Sequence, residues 1–148
     1  MAFLHIDSFC QTDEVSAPVA DVFQAFTEIE TWPTWISALA AARTLSEGPL
    51  RVGFRFELTF RNFPRPFQTE LIDYTPNKVF AWGTEKSLYR LRHAFDFEAQ
   101  TPTTCTLRHS ESSGGLLAIP AYLLAKKIRN TNSQWSADVV QHFRRESS

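Results

Sequence analysis

Two histidines and a glutamate recur at alternating positions of two neighbouring strand-like runs. In the first run, Tyr89, Leu91, His93, Phe95 and Phe97 alternate with Arg90, Arg92, Ala94, Asp96 and Glu98. In the second, Cys105, Leu107, His109 and Glu111 share one side. A period of two puts each imidazole on the apolar face of its strand. A three-residue loop at 100–102 would make His93 and His109 direct cross-strand neighbours. Two imidazoles in an apolar setting can serve as general acid and base, since burial and mutual repulsion lower their pKa values. Glu111 would orient one of them. The alternative is that both are hydrogen-bonded wall residues, and a one-residue slip in register would remove the pairing.

Other chemistries find little support. His5, His93, His109 and His142 lack metal-ligand spacing and neither cysteine has a nearby partner, so no metal site is expected. The G-x-S-x-G elbow is absent, which leaves no recognisable nucleophile. Gly114-Gly115 has neither the P-loop nor the dinucleotide pattern around it, and no cofactor is expected.

The elements that must hold these residues read as follows. Residues 2–14, with Phe3, Ile6 and Phe9, form a strand that runs up to Val15. Pro18 suits a first helical turn, and Val19, Val22, Phe23 and Phe26 follow at helical spacing, which predicts a short helix over 18–27. A second short helix is expected over 27–38, entered through the Trp32-Pro33 turn. The period then becomes two. Phe54, Phe56, Leu58 and Phe60 alternate with Arg55, Glu57, Thr59 and Arg61, which places Phe56 and Leu58 inward. The Pro-rich NFPRP at 62–66 is a turn, followed by strands at 67–75, 79–85, 89–98 and 103–112, and Ser112 to Gly115 ends the sheet. Leu117, Leu124, Ile128, Trp135, Val139 and Phe143 fall on one helical stripe, so a long helix is expected over 117–143, started or kinked by Pro120.

This order is α+β: a strand, two short helices, six antiparallel strands and a long C-terminal helix. A twisted sheet of that size curls, and one helix does not fill its concavity, so an internal pocket is expected. The 148 residues favour a single domain over 1–148. The 13 Phe, 4 Trp and 3 Tyr imply a tightly filled core or an aromatic-lined cavity. A net charge of −1 argues against nucleic-acid partners and anionic membrane surfaces. The first residues lack a basic leader, and no apolar run is long enough to insert in a bilayer. Cys10 and Cys105 read as reduced core thiols of a cytoplasmic protein.

Ala17-Pro18-x-x-x-Val22-Phe23, then Thr27, then Trp32-Pro33-x-Trp35 resembles the opening of the START/Bet v 1-like helix-grip superfamily. More narrowly it is similar to the polyketide cyclase/dehydrase and lipid-transport group. Tyr74-Thr75-Pro76, Phe80-Ala81-Trp82 and Gly114-Gly115 fall in the order this resemblance implies. It implies a helix-grip fold: a curved seven-stranded antiparallel sheet around the long helix, with Trp32, Pro33 and Trp35 plugging one end of a cavity.

The expected task is binding a small hydrophobic or amphipathic molecule (a lipid, polyketide or aromatic) by a monomer or weak homodimer. The expected walls from the sheet side are Trp35, Phe56, Leu58, Trp82, His93, Phe95 and His109. Leu124, Ile128 and Thr131 join them from the helix, and Phe63 from a mobile lid at FRNFPRPF, 60–67, where Arg61 and Arg65 would meet an acidic group. The enzyme alternative is a cyclase or dehydratase using His93, His109 and Glu111. A third option is a co-chaperone-like interaction domain with a filled interior.

Overall fold

The computed structural model describes residues 4–146, so Phe3 of the first expected strand lies outside the described residues. Seven strands form one antiparallel sheet: β1 His5–Val15, β2 Leu39–Thr44, β3 Arg55–Phe60, β4 Phe67–Thr75, β5 Val79–Glu85, β6 Tyr89–Thr101 and β7 Thr104–Gly115. Their spatial order is β1-β7-β6-β5-β4-β3-β2. Strands β2 to β7 form a meander in chain order, while β1 pairs with β7. Between β1 and β2 lie α1, Val19–Thr27, and a 3-10 helix, Ile29–Thr34. The second short helix is therefore tighter and shorter than the 27–38 expected, and Trp32 and Pro33 lie inside it.

The alternation over residues 54–60 holds: Phe56 and Leu58 are fully buried, Arg55 is exposed and Glu57 only partly covered. Strand β7 runs three residues past the expected end, because Gly114 pairs with both His5 and Arg90. Gly115 then turns out of the sheet at φ +62, where a Cβ would lie 2.3 Å from the Leu88 carbonyl oxygen. Cys105 is buried as expected, but Cys10 is exposed on the edge strand β1, so only one of the two thiols belongs to the core.

The C-terminal helix is two helices, α2 Ala118–Leu123 and α3 Ala125–Glu146. Pro120 sits in the first turn of α2, where a missing N–H costs nothing. The continuous stripe expected over 117–143 breaks with the helix. Leu124 is 42% exposed, and the buried face of α3 comprises Thr131, Asn132, Trp135, Ser136, Val139 and Phe143. Leu124 and Ile128 line a cavity between the helix and the sheet.

Aromatic rings fill most of the interior. Trp32 meets Phe56, Phe80, Trp82 and Trp135 with ring centroids 5.4–6.0 Å apart. Phe26 from α1 packs on Phe95 at 4.5 Å. The Trp32 indole Nε1 donates to the Phe26 carbonyl at 3.2 Å, which fixes the 3-10 helix against α1. Trp35, partly buried at the rim of this cluster, meets Phe26 edge-on at 5.7 Å and stacks on His142 of α3 at 4.7 Å.

Strands β5 and β6 approach closely at Gly83. Its φ is +149, and an added Cβ would stand 1.8 Å from the Leu91 carbonyl oxygen. Gly83→Ala must strain the backbone and part the strands, so it is expected to cost about 2–4 kcal/mol. Urea denaturation checks this; a loss below about 1 kcal/mol would mean that the two strands separate freely there.

Candidate functional site: a cavity with a buried Glu-His-His-Ser run

Filling one end of the grip with aromatics leaves the other end open. A cavity of about 460 Å³ lies between the sheet and the helices. Trp82, Leu91, His93, Glu111 and Ser113 form its sheet wall. Leu117 just before α2, Pro120 and Ala121 within it, and Leu124, Ile128, Thr131 and Asn132 beyond it form the helix wall. The third wall is the loop after β3, with Phe63, Pro64 and Arg65 leading to Phe67 at the start of β4. That loop is tied to α3: Asn62 Nδ2 donates to Thr131 Oγ1 at 3.0 Å, and Lys127 Nζ sits 4.2 Å from the Phe63 ring centroid. Arg61 turns away from the cavity, its Nε donating to the Ser37 carbonyl at 3.0 Å.

At the inner wall four side chains form a continuous polar run. Glu111 Oε1 lies 3.1 Å from His93 Nδ1. His93 Nε2 shares a hydrogen bond with His109 Nε2 at 2.7 Å, and His109 Nδ1 shares one with Ser136 Oγ at 2.8 Å. The His93 ring is stacked on Trp82 with centroids 4.2 Å apart, and Phe95 stacks on His109 at 4.3 Å. Both imidazoles are thus held in place by rings and by polar partners at both nitrogens. His109 is 1% exposed. Burial, and then the neighbouring His93, hold its pKa well below the ordinary histidine value.

The pairing differs in register from the expected one. His93 faces Glu111 across the ladder, and Phe95 faces His109. The turn centres on Pro102-Thr103, and a bulge lies between Ala99 and Thr101. An offset of two residues preserves the face, so His93 and His109 still meet, on the diagonal.

Six of the residues expected at the ligand line the cavity: Phe63, Trp82, His93, Leu124, Ile128 and Thr131. Phe56, Leu58 and Phe95 are instead core residues with no exposure. His109 is sealed behind His93, and Trp35 packs against the C-terminal half of α3. Of the three residues expected to do chemistry, Glu111 and His93 reach the cavity and His109 supports them from behind.

Neither Ser136 nor Asn132 was among the site residues expected from the sequence. Asn132 and Ser136 are one helical turn apart beside buried Trp135, the spacing that signals one shared inner face. Asn132 is 2% exposed, lines the cavity, and its Nδ2 has no hydrogen-bond partner among the described residues. Burial pushes the Cys105 thiol up to about 11, so it is an inert core group. Among the described residues no cluster of three or more His, Cys, Asp or Glu is placed to hold a metal ion. No helix among them is long and apolar enough to cross a membrane.

A curved seven-stranded sheet gripping a C-terminal helix, with a cavity between them, defines the helix-grip class of START-like proteins. Within that class, the model of the polyketide cyclase/dehydrase and lipid transport family matches residues 8–129, and the chain belongs to that family. No curated protein matches the sequence. The fold is similar to a START superfamily protein from Mycobacterium smegmatis, with a TM-score of 0.74 and 14% identity over 93% of this chain and 97% of that one. It is similar also to the Zhui aromatase/cyclase from Streptomyces sp. R1128, at 0.75 and 13% identity over 97% and 95% of the two chains. A truncated norcoclaurine synthase from Thalictrum flavum gives 0.72 and 11% identity over 95% and 94%. Identities this low establish a shared fold and leave function to the site.

Proposed function

We propose that this protein binds a small hydrophobic or amphipathic molecule in the cavity between the sheet and its C-terminal helices. The cavity itself carries the reading: about 460 Å³ walled by aromatic and aliphatic side chains, with a few polar groups gathered at its inner end. Such a space suits a molecule with an apolar body and one polar end, of lipid, polyketide or aromatic type. An interaction domain of co-chaperone type would call for a filled interior, and the cavity weighs against it. A cytoplasmic, monomeric or weakly dimeric carrier fits the composition.

A second reading, an acid–base enzyme of cyclase or dehydratase type, is favoured by the run Glu111–His93–His109–Ser136. A carboxylate held by an imidazole at an apolar wall is an arrangement that can accept or return a proton. The family description and the aromatase/cyclase neighbour agree with this reading without selecting it.

One double variant separates the two. His93→Gln with His109→Gln keeps similar size and hydrogen-bonding capacity but removes titration near neutral pH. A carrier is expected to bind the uncharged dye Nile red saturably, with the double variant within about tenfold of the parent by fluorescence titration. An enzyme is expected to lose turnover of its substrate by about a hundredfold or more while binding survives. Failure of the well-folded parent to show any saturable binding would overturn the cavity reading and favour the interaction domain instead. Native mass spectrometry of freshly purified protein, looking for a retained small molecule, tests the same reading independently.

A further inference from the structure

Neither ring nitrogen of His93 is available to a ligand. Nδ1 faces Glu111 at 3.1 Å and Nε2 is bonded to His109 at 2.7 Å, while Trp82 covers one ring face. His109 and Ser136 stand behind it, buried. The polar group of this run that meets the cavity is therefore the carboxylate of Glu111, whose side chain keeps 13% exposure. Its one polar side-chain contact among the described residues is the one to His93. On the helix wall of the cavity, Asn132 is 2% exposed with an amide nitrogen that has no partner among the described residues. A buried amide donor left unpaired is costly, and in native proteins such groups are usually met by protein, water or ligand. Thr131 beside it is already engaged by Asn62.

We propose that Glu111 and Asn132 form a two-point subsite that reads the polar end of the ligand, Glu111 accepting from a donor and Asn132 donating to an acceptor. His93 is the positioning residue that holds Glu111. This rests on the cavity being a ligand site and names the head group it takes: uncharged, with a donor and an acceptor side by side, such as a primary amide or a hydroxyketone. A ligand ending in a carboxylate fits poorly. It brings a second negative charge to Glu111 in an apolar enclosure, where like charges are weakly screened. Arg65, on the loop wall, lines the cavity but is exposed to water, where its charge is screened, and Arg61 is committed to Ser37.

Two rigid probes with the same apolar body test this: 2-naphthamide and 2-naphthoate, titrated at pH 7.5 by competition with Nile red. The parent is expected to bind the amide at least tenfold more tightly than the carboxylate. Glu111→Gln is expected to bring the two within about threefold, mainly by improving naphthoate. Asn132→Leu is expected to weaken the amide at least threefold and leave Nile red within twofold. Circular dichroism and thermal melting establish that each variant is folded, and Nile red binding establishes that its cavity is intact. A parent that binds Nile red but does not distinguish the probes would overturn the subsite and leave the cavity reading standing. An undiminished preference in a folded Glu111→Gln variant would do the same. Absence of Nile red binding in the parent would sink both readings. Should either variant fail to fold, the parent's ratio of amide to carboxylate affinity, measured alone, still decides the proposal.

Discussion

Trp135→Ala is expected to lower the free energy of unfolding by about 3–5 kcal/mol, the range for truncating a large buried aromatic side chain. Trp135 is fully buried on the inner face of α3. Its ring lies within 5.5–6.4 Å of Trp32, Phe60, Trp82, His93, Phe95 and His109, so it joins the helix to the 3-10 helix and to the sheet at once. The void left by alanine has aromatic walls on several sides that cannot collapse inward together. One feature reduces the cost for a milder change: the indole Nε1 has no hydrogen-bond partner among the described residues. Trp135→Phe removes that unsatisfied donor while keeping most of the ring, and is expected to cost less than half as much as alanine. Urea denaturation of both variants checks the pair. A loss below about 1 kcal/mol for alanine would mean that α3 is not anchored at this point.

The second expected result is a steep loss of stability on acidification, centred on His109. Its pKa in the folded protein lies well below the ordinary 6.5, chiefly through burial and then through His93. Above pH 6.5 the imidazole is neutral in both folded and unfolded chains, and the full stability is present. As pH falls below that value, the unfolded chain takes up a proton that the folded chain refuses. Unfolding then gains about 1.4 kcal/mol per pH unit from this site, until the folded pKa is reached. The geometry agrees, because two imidazoles joined Nε2 to Nε2 at 2.7 Å can share one hydrogen but cannot both present one. The charged and titratable neighbours along the run are His93 and Glu111, with the Ser136 hydroxyl closing it. Denaturation midpoints at pH 7.5, 6 and 5 are expected to show this slope in the parent, and a slope shallower by about one proton in His109→Gln. Equal slopes in the two proteins would show that His109 takes up its proton within the fold.

Much of the site was written locally. Strand alternation alone puts His93, His109 and Glu111 on the same side as Phe95, Leu107 and Cys105, and Phe56 and Leu58 inside, because neighbouring side chains on a strand must point to opposite faces. Those assignments hold in the structure. The Ala17–Trp35 pattern and the order of turns were enough to indicate a helix-grip sheet with seven strands. Which residue faces which was not local. The bulge between Ala99 and Thr101 and the turn at Pro102-Thr103 set the register, and they moved His93 from opposite His109 to opposite Glu111. The position of the cavity was less local still, because it is the difference between the volume the sheet encloses and the volume that side chains from nearly every element bring to it. Trp32, Trp82, Trp135 and the phenylalanines fill one end of the grip, which takes Phe56, Leu58 and Phe95 into the core and leaves the void beneath Leu124 and Ile128. Hydrogen-bond satisfaction is decided only once every neighbour is in place. The sequence by itself therefore determined the faces and the family of fold. Tertiary packing alone decided that His93 is fully engaged, that Glu111 meets the cavity, and that the Asn132 amide is left without a partner, since periodicity acts between adjacent residues while enclosed volume and pairing are properties of the assembled chain.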